Sequence, residues 1–181
     1  KALTHLELDL NTPGNHKSFF QTLSLAIRKL KNLRQISFNL PPSDKPSEKE
    51  FIQFSSRLQL FSSLKHLKLT SQRNIPSLNT LAAIKMLDNL KHQHLSTLIL
   101  EVQNLQSEKN QLGDYFLTTL LKSQPTLQTL GLKLRDDHIN EAQLFSYITQ
   151  LKKFPHLKNV SLAIESLELK FDQEILKKII Q

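Results

Sequence analysis

Apolar and polar residues alternate in a short phrase, Leu-x-x-Leu-x-Leu, that returns along the whole chain. Its six copies begin at Leu3, Leu33, Leu64, Leu95, Leu127 and Leu157; Ile36 and Phe38 replace the later Leu residues of the second copy, and Val160 replaces the second Leu of the last. The steps between copies are 30, 31, 31, 32 and 30 residues. Alternation with period two predicts strands with one buried face, and the fixed period predicts one repeat array over residues 1–181.

The segments between the phrases carry apolar residues at helical spacing. The helix-facing positions are Phe19, Phe20, Leu23, Ile27 and Leu30; Phe51, Phe54, Leu58 and Phe61; Leu78, Leu81, Ile84 and Leu87; Phe116, Leu117, Leu120 and Leu121; Leu144, Phe145, Ile148, Leu151 and Phe154; and Ile175, Leu176, Ile179 and Ile180. Ser47 with Glu50 predicts a capping box, and Asn140 and Asp172 are expected to cap the last two helices. Each unit is therefore a strand followed by a helix.

A strand that returns through a helix lies parallel to the strand before it. Six such units, starting near residues 3, 33, 64, 95, 127 and 157, predict an α/β solenoid. Strands should line a concave face, and the wider helices should lie on the convex face and force curvature.

This phrase, with a helix in each unit, resembles the leucine-rich repeat proteins, and among them the ribonuclease-inhibitor-like class with long repeats. The family's phrase usually continues to an Asn or Cys that bonds the next turn, and only Asn11 matches here. The equivalent positions are Pro41, Gln72, Gln103, Arg135 and Glu165, and the residue before them is apolar in five of six units. We therefore expect strands about two residues longer and irregular turns, with Arg135 opening a turn.

The resemblance implies a protein-binding concave face, towards which the polar positions of each phrase should project. The partner-binding candidates are His5, Glu7, Asp9, Gln35, Asn39, His66, Lys68, Thr97, Ile99, Glu101, Thr129, Gly131, Lys133, Asn159 and Ala163. Among them Ile99, Gly131 and Ala163 are expected to lie at one level as a shallow apolar patch.

The net charge of +8 permits a polyanionic partner. Basic residues such as Lys31, Lys91 and Lys152 gather where helices end, and acidic residues such as Asp114 and Glu141 gather where they begin. A basic rim that tracks phosphates is one interpretation. Complementarity to the helix dipoles explains both rims and is the interpretation we favour.

Catalytic and metal-binding patterns are absent from the sequence. The chain has no Cys, and its three glycines form no phosphate-binding loop. His92 and His94 have no carboxylate or Cys beside them that could help to bind a metal, and we interpret them as part of a surface loop between a helix and a strand. We expect no enzyme activity, no cofactor and no membrane span, and the missing cysteines favour an intracellular protein in cytoplasm or nucleus.

The sequence thus predicts a non-enzymatic interaction module or scaffold subunit that binds a protein. The alternative is a subunit of a ribonucleoprotein or nucleic-acid assembly that uses the basic rim. Because the first phrase begins at the start of the chain without a capping unit, we expect Leu3, Leu6 and Leu8 to be covered by further sequence of a longer protein, or by another subunit.

Overall fold

A computed structural model describes residues 2–9, 23, 25–27, 29–40, 48–71, 78–103, 112–135 and 139–165. Helical positions Phe19 and Phe20, the cap at Ser47 and the last helix with its cap at Asp172 lie outside these residues. The residues that follow Arg135, up to His138, lie outside them as well.

Strands and helices alternate along the chain. The strands are β1 (His5–Asp9), β2 (Gln35–Leu40), β3 (His66–Ser71), β4 (Leu78–Asn79), β5 (Thr97–Gln103), β6 (Thr129–Arg135) and β7 (Asn159–Glu165). The helices are α1 (Glu48–Leu58), α2 (Thr80–Leu90), α3 (Leu112–Ser123) and α4 (Glu141–Leu151), and Leu23 and residues 25–27 are also helical. The pattern predicted Leu78 as a helical position, whereas it belongs to the two-residue strand β4 and α2 starts at Thr80.

All strand pairs in the described sheet are parallel, in the order β1-β2-β3-β5-β6-β7, and β4 pairs with β5 where the pairing of β3 stops. Equivalent positions of the Leu phrase lie opposite each other, as in Ile36 beside Leu67 and Leu67 beside Leu98. The architecture is an α/β fold in which parallel strands alternate with helices.

One backbone arrangement recurs just before each main strand after β1. The carbonyl of Arg34 accepts from the amides of Lys65 and His66 at 2.8 and 3.0 Å, and the carbonyl of Lys65 accepts from the amides of Ser96 and Thr97. The same double acceptance occurs at the carbonyls of residues 4, 96 and 128. The accepting carbonyls are spaced like the copies of the Leu phrase, so these bonds fix the register between neighbouring strands where β2, β3, β5, β6 and β7 begin.

The alternate apolar residues of the strands and the inner faces of the helices form one core. Phe38 of β2 and Phe54 of α1 meet edge to face with ring centroids 5.5 Å apart. Phe61 and Phe154, which helical spacing assigned to the core, are buried. Each fully buried side chain of this size contributes about 1.5–3 kcal/mol, so the core holds helices and sheet together.

The first turn of α4 confirms the predicted cap. The Asn140 side chain accepts from the Gln143 amide at 3.1 Å, and the Gln143 side chain accepts from the Asn140 amide at 2.8 Å. This reciprocal capping box satisfies two amides that a helix start leaves without partners.

Buried glutamines join neighbouring helix-to-strand connections. Gln124 is fully buried after α3; its Nε2 donates to the Leu90 carbonyl at 2.7 Å, and its Oε1 accepts from the Leu95 amide at 3.1 Å. One connection earlier, Nε2 of the buried Gln93 donates to the Gln59 carbonyl at 3.0 Å. Side chains of these connections thus bond one strand–helix segment to the next.

Candidate protein-binding face

The polar positions of the Leu phrase lie on the sheet face opposite the helices, which we call the open face. Strand register arranges them in three rows. The first row is His5, Gln35, His66, Thr97, Thr129 and Asn159; the second is Glu7, Ser37, Lys68, Ile99, Gly131 and Ser161; the third has Asp9, Asn39 and Thr70 on β1–β3 and Glu101, Lys133 and Ala163 on β5–β7. All fifteen candidate residues therefore share this face.

The predicted apolar trio is wrong in one member. Register places Ser161, not Ala163, beside Gly131, and Ala163 lies beside Lys133 in the next row. Ala163 is the seventh residue of its phrase, whereas Ile99 and Gly131 are the fifth residues of theirs. The second row therefore ends on a hydroxyl, and the apolar patch is limited to β5 and β6.

The Ile99 side chain packs closely against Gly131. A Cβ added at Gly131 would lie 3.1 Å from Cγ2 and 3.2 Å from Cγ1 of Ile99. These distances are shorter than ordinary van der Waals contact, so Ile99 already occupies the space above the glycine. The feature is a filled contact between two strands rather than an open hollow.

Four charged side chains form a cluster on β5–β7, which we call the ion-pair cluster. Nε of Arg135 lies 2.9 Å from Oε1 of Glu101 and 2.8 Å from Oε2 of Glu165. Nζ of Lys133 lies 2.9 Å from Oε1 of Glu165 and 3.7 Å from Oε1 of Glu101. Two cations thus stand between two carboxylates, and the cluster has no net charge.

Burial differs sharply within the ion-pair cluster. The Glu101 side chain is 3% exposed and that of Arg135 is 11% exposed, whereas that of Glu165 is 48% exposed. Removing one partner of a buried pair leaves an uncompensated charge and typically costs about 3–5 kcal/mol. Glu101 and Lys133, predicted as partner contacts, are therefore already engaged within the chain.

Sequence reasoning missed Arg135 and Glu165 as open-face residues. Arg135 was expected to open a turn, but it is the last residue of β6, opposite Glu165 of β7. The sequence did carry a signal for this placement, because the strands were predicted to be about two residues longer than usual for such repeats. Continuing the alternation from Lys133 places Arg135 on the same face.

On the β1–β3 part of the open face, the charged side chains form no ion pair with other described residues. Lys68 and Glu7 are exposed, and no ion pair among the described residues includes either of them. Asp9 accepts a hydrogen bond from Asn39 at 3.3 Å, and His5 shares one with Thr4 at 2.8 Å. This half can therefore offer charges to a partner without breaking an internal pair.

The acidic rim was expected from residues such as Asp114 and Glu141 at the starts of helices. Helices α3 and α4 have these residues in their first turns, whereas α2, for which the sequence named none, has no acidic residue there. Oδ1 of Asp114 accepts from the hydroxyl of Ser146 at 2.7 Å and from Nε2 of Gln150 at 2.6 Å. The Asp114 carboxylate therefore connects α3 to α4 by hydrogen bonds.

The described residues contain no group of three or more His, Asp or Glu side chains placed to hold a metal ion. None of the helices in those same ranges has the length and apolarity needed to cross a membrane.

The fold resembles a solved structure of the leiomodin-1 actin-binding site 2. The match has a TM-score of 0.52 at 12% sequence identity and covers 93% of this chain and 87% of that chain. At this identity the likeness shows the fold alone. No family model and no curated protein matches the sequence, and none of these comparisons supports nucleic acid as a partner.

Proposed function

We propose that this chain is a six-unit leucine-rich repeat solenoid that works as a non-enzymatic protein-interaction module. Its open face forms the concave side, and the unpaired charges of β1–β3 contact the partner. The observation that carries this proposal is the division of the face into a self-paired half and a half whose charges are exposed.

The self-paired half supplies rigidity. The ion-pair cluster and the contact of Ile99 with Gly131 tie β5, β6 and β7 together on the solvent side, while the core ties them from below. A preformed surface loses less conformational entropy when it binds, so more of the contact energy remains as affinity.

The other half supplies specificity. Lys68 of β3 and Glu7 of β1 lie in the same row, on either side of the buried Ser37. A fixed cation and a fixed anion about two strand spacings apart, ~10 Å, favour a partner with the opposite charge pattern. The actin-binding site that shares this fold is consistent with a protein partner.

Charge reversal tests the proposal. We expect the double variant Glu7→Lys and Lys68→Glu, which keeps the net charge, to lose the protein that the wild-type chain captures from its native cells. The control variant Lys122→Glu changes an exposed charge at the end of α3 and should capture the partner normally. Equal capture by wild type and the folded double variant would reject the open face as the binding site.

A further inference from the structure

The net positive charge of the chain comes from five segments that join a helix to the next strand. They are residues 29–34, 59–65, 91–96, 124–128 and 152–158. Together they hold eight of the 24 Lys and Arg residues and none of the 16 Asp and Glu residues. The remaining cations and anions are equal in number, so these connections carry the whole excess of +8.

The connections form one continuous edge of the molecule, which we call the basic edge. The residues just before β2, β3, β5, β6 and β7 are linked in a row by amide-to-carbonyl bonds of 2.7–3.1 Å. All eight cations are exposed, and none belongs to an ion pair among the described residues. One acid, Asp88, stands close to the edge, in the last turn of α2. The cations are Lys29, Lys31, Arg34, Lys65, Lys91, Lys152, Lys153 and Lys158.

Helix dipoles do not account for the whole edge. A cation gains from the dipole only within the last turn of a helix. Arg34, Lys65 and Lys158 stand directly before strands, seven residues beyond Ile27, Leu58 and Leu151 respectively, which are the last described helical residues before them. Their placement on the same edge therefore calls for another cause.

We propose that the basic edge binds an extended acidic segment of a protein. Backbone groups along the row already bond each other, so recognition falls to the flexible cationic side chains. The row crosses five strands, about 19 Å at ~4.8 Å per step, and six extended residues span about 20 Å. A run of Asp and Glu residues therefore matches the row in length and charge.

An acidic peptide fits the edge better than a nucleic acid. The connections contain no Tyr or Trp, and their two Phe residues, Phe61 and Phe154, are buried and offer no surface on which bases could stack. This site is separate from the open face, and its test does not depend on the proposed function.

Fluorescence anisotropy with an octaglutamate peptide tests the proposal directly. We expect binding to the wild-type chain that weakens about fivefold in the double variant Lys31→Gln and Lys158→Gln, because each exposed pair contributes modestly. The control Lys85→Gln removes a charge at an exposed position of α2, away from the edge and from the open face, and should leave affinity within about twofold.

Three results would overturn the proposal. They are failure of the wild-type chain to bind octaglutamate at low salt, an equal loss in the control variant, or tighter binding of a nonathymidine oligonucleotide with its eight phosphates. The last result would assign the edge to nucleic acid instead.

Discussion

Replacing the buried Gln124 by Met removes two hydrogen bonds while keeping the length of the side chain. Nε2 of Gln124 donates to the Leu90 carbonyl at 2.7 Å, and Oε1 of Gln124 accepts from the Leu95 backbone amide at 3.1 Å. Both backbone groups keep a second partner within their own connection, the amide and the carbonyl of Gln93. Each lost bond therefore costs its net value of about 1 kcal/mol rather than the full penalty of an orphaned group.

The expected destabilisation of the Gln124→Met variant is about 2 kcal/mol. For a chain of this size that lowers the melting temperature by about 4–8 °C in thermal unfolding followed by circular dichroism. The matched control is Gln128→Met, four residues away and exposed, which should change stability by less than about 0.5 kcal/mol. Equal stability of the two variants would refute the claim that glutamines bond neighbouring connections.

Two further predictions concern packing and charge, both measured by urea unfolding. Gly113→Ala should destabilise the chain by about 1–3 kcal/mol, because the added Cβ would overlap the hydroxyl of the buried Tyr147. Gly131→Ala should destabilise it less. A stabilising effect of Gly113→Ala would contradict the prediction and mean that helix propensity outweighs the clash. Glu101→Gln should cost more than Glu165→Gln, because Glu101 is the buried carboxylate of the ion-pair cluster; the reverse order would contradict its structural role.

The sheet could be predicted from the sequence because its register follows the sequence period. Pairs such as Leu67 with Leu98 join equivalent phrase positions, and a one-residue slip would turn every Leu towards solvent. Local signals also sufficed for the cap at Asn140, since a side chain and an amide three residues apart decide it.

The ion-pair cluster was not predicted because Arg135 was assigned to a turn, so the alternation of β6 was not continued beyond Lys133. Arg135 faces Glu101 and Glu165 only because β5, β6 and β7 each extend through seven residues. The role of Gln124 was likewise hidden, since its partners lie 29 and 34 residues away in the neighbouring connection.

Site-specific cross-linking tests the central claim, protein binding on the open face, most directly. The chain has no cysteine, so a single Thr70→Cys variant can carry a photo-activated cross-linker on the open face beside Lys68, whose charge stays in place. The matched control is Thr149→Cys, exposed on α4. We predict that the partner captured by the wild-type chain is cross-linked from position 70 and not from position 149. Cross-linking from position 149 alone would contradict it.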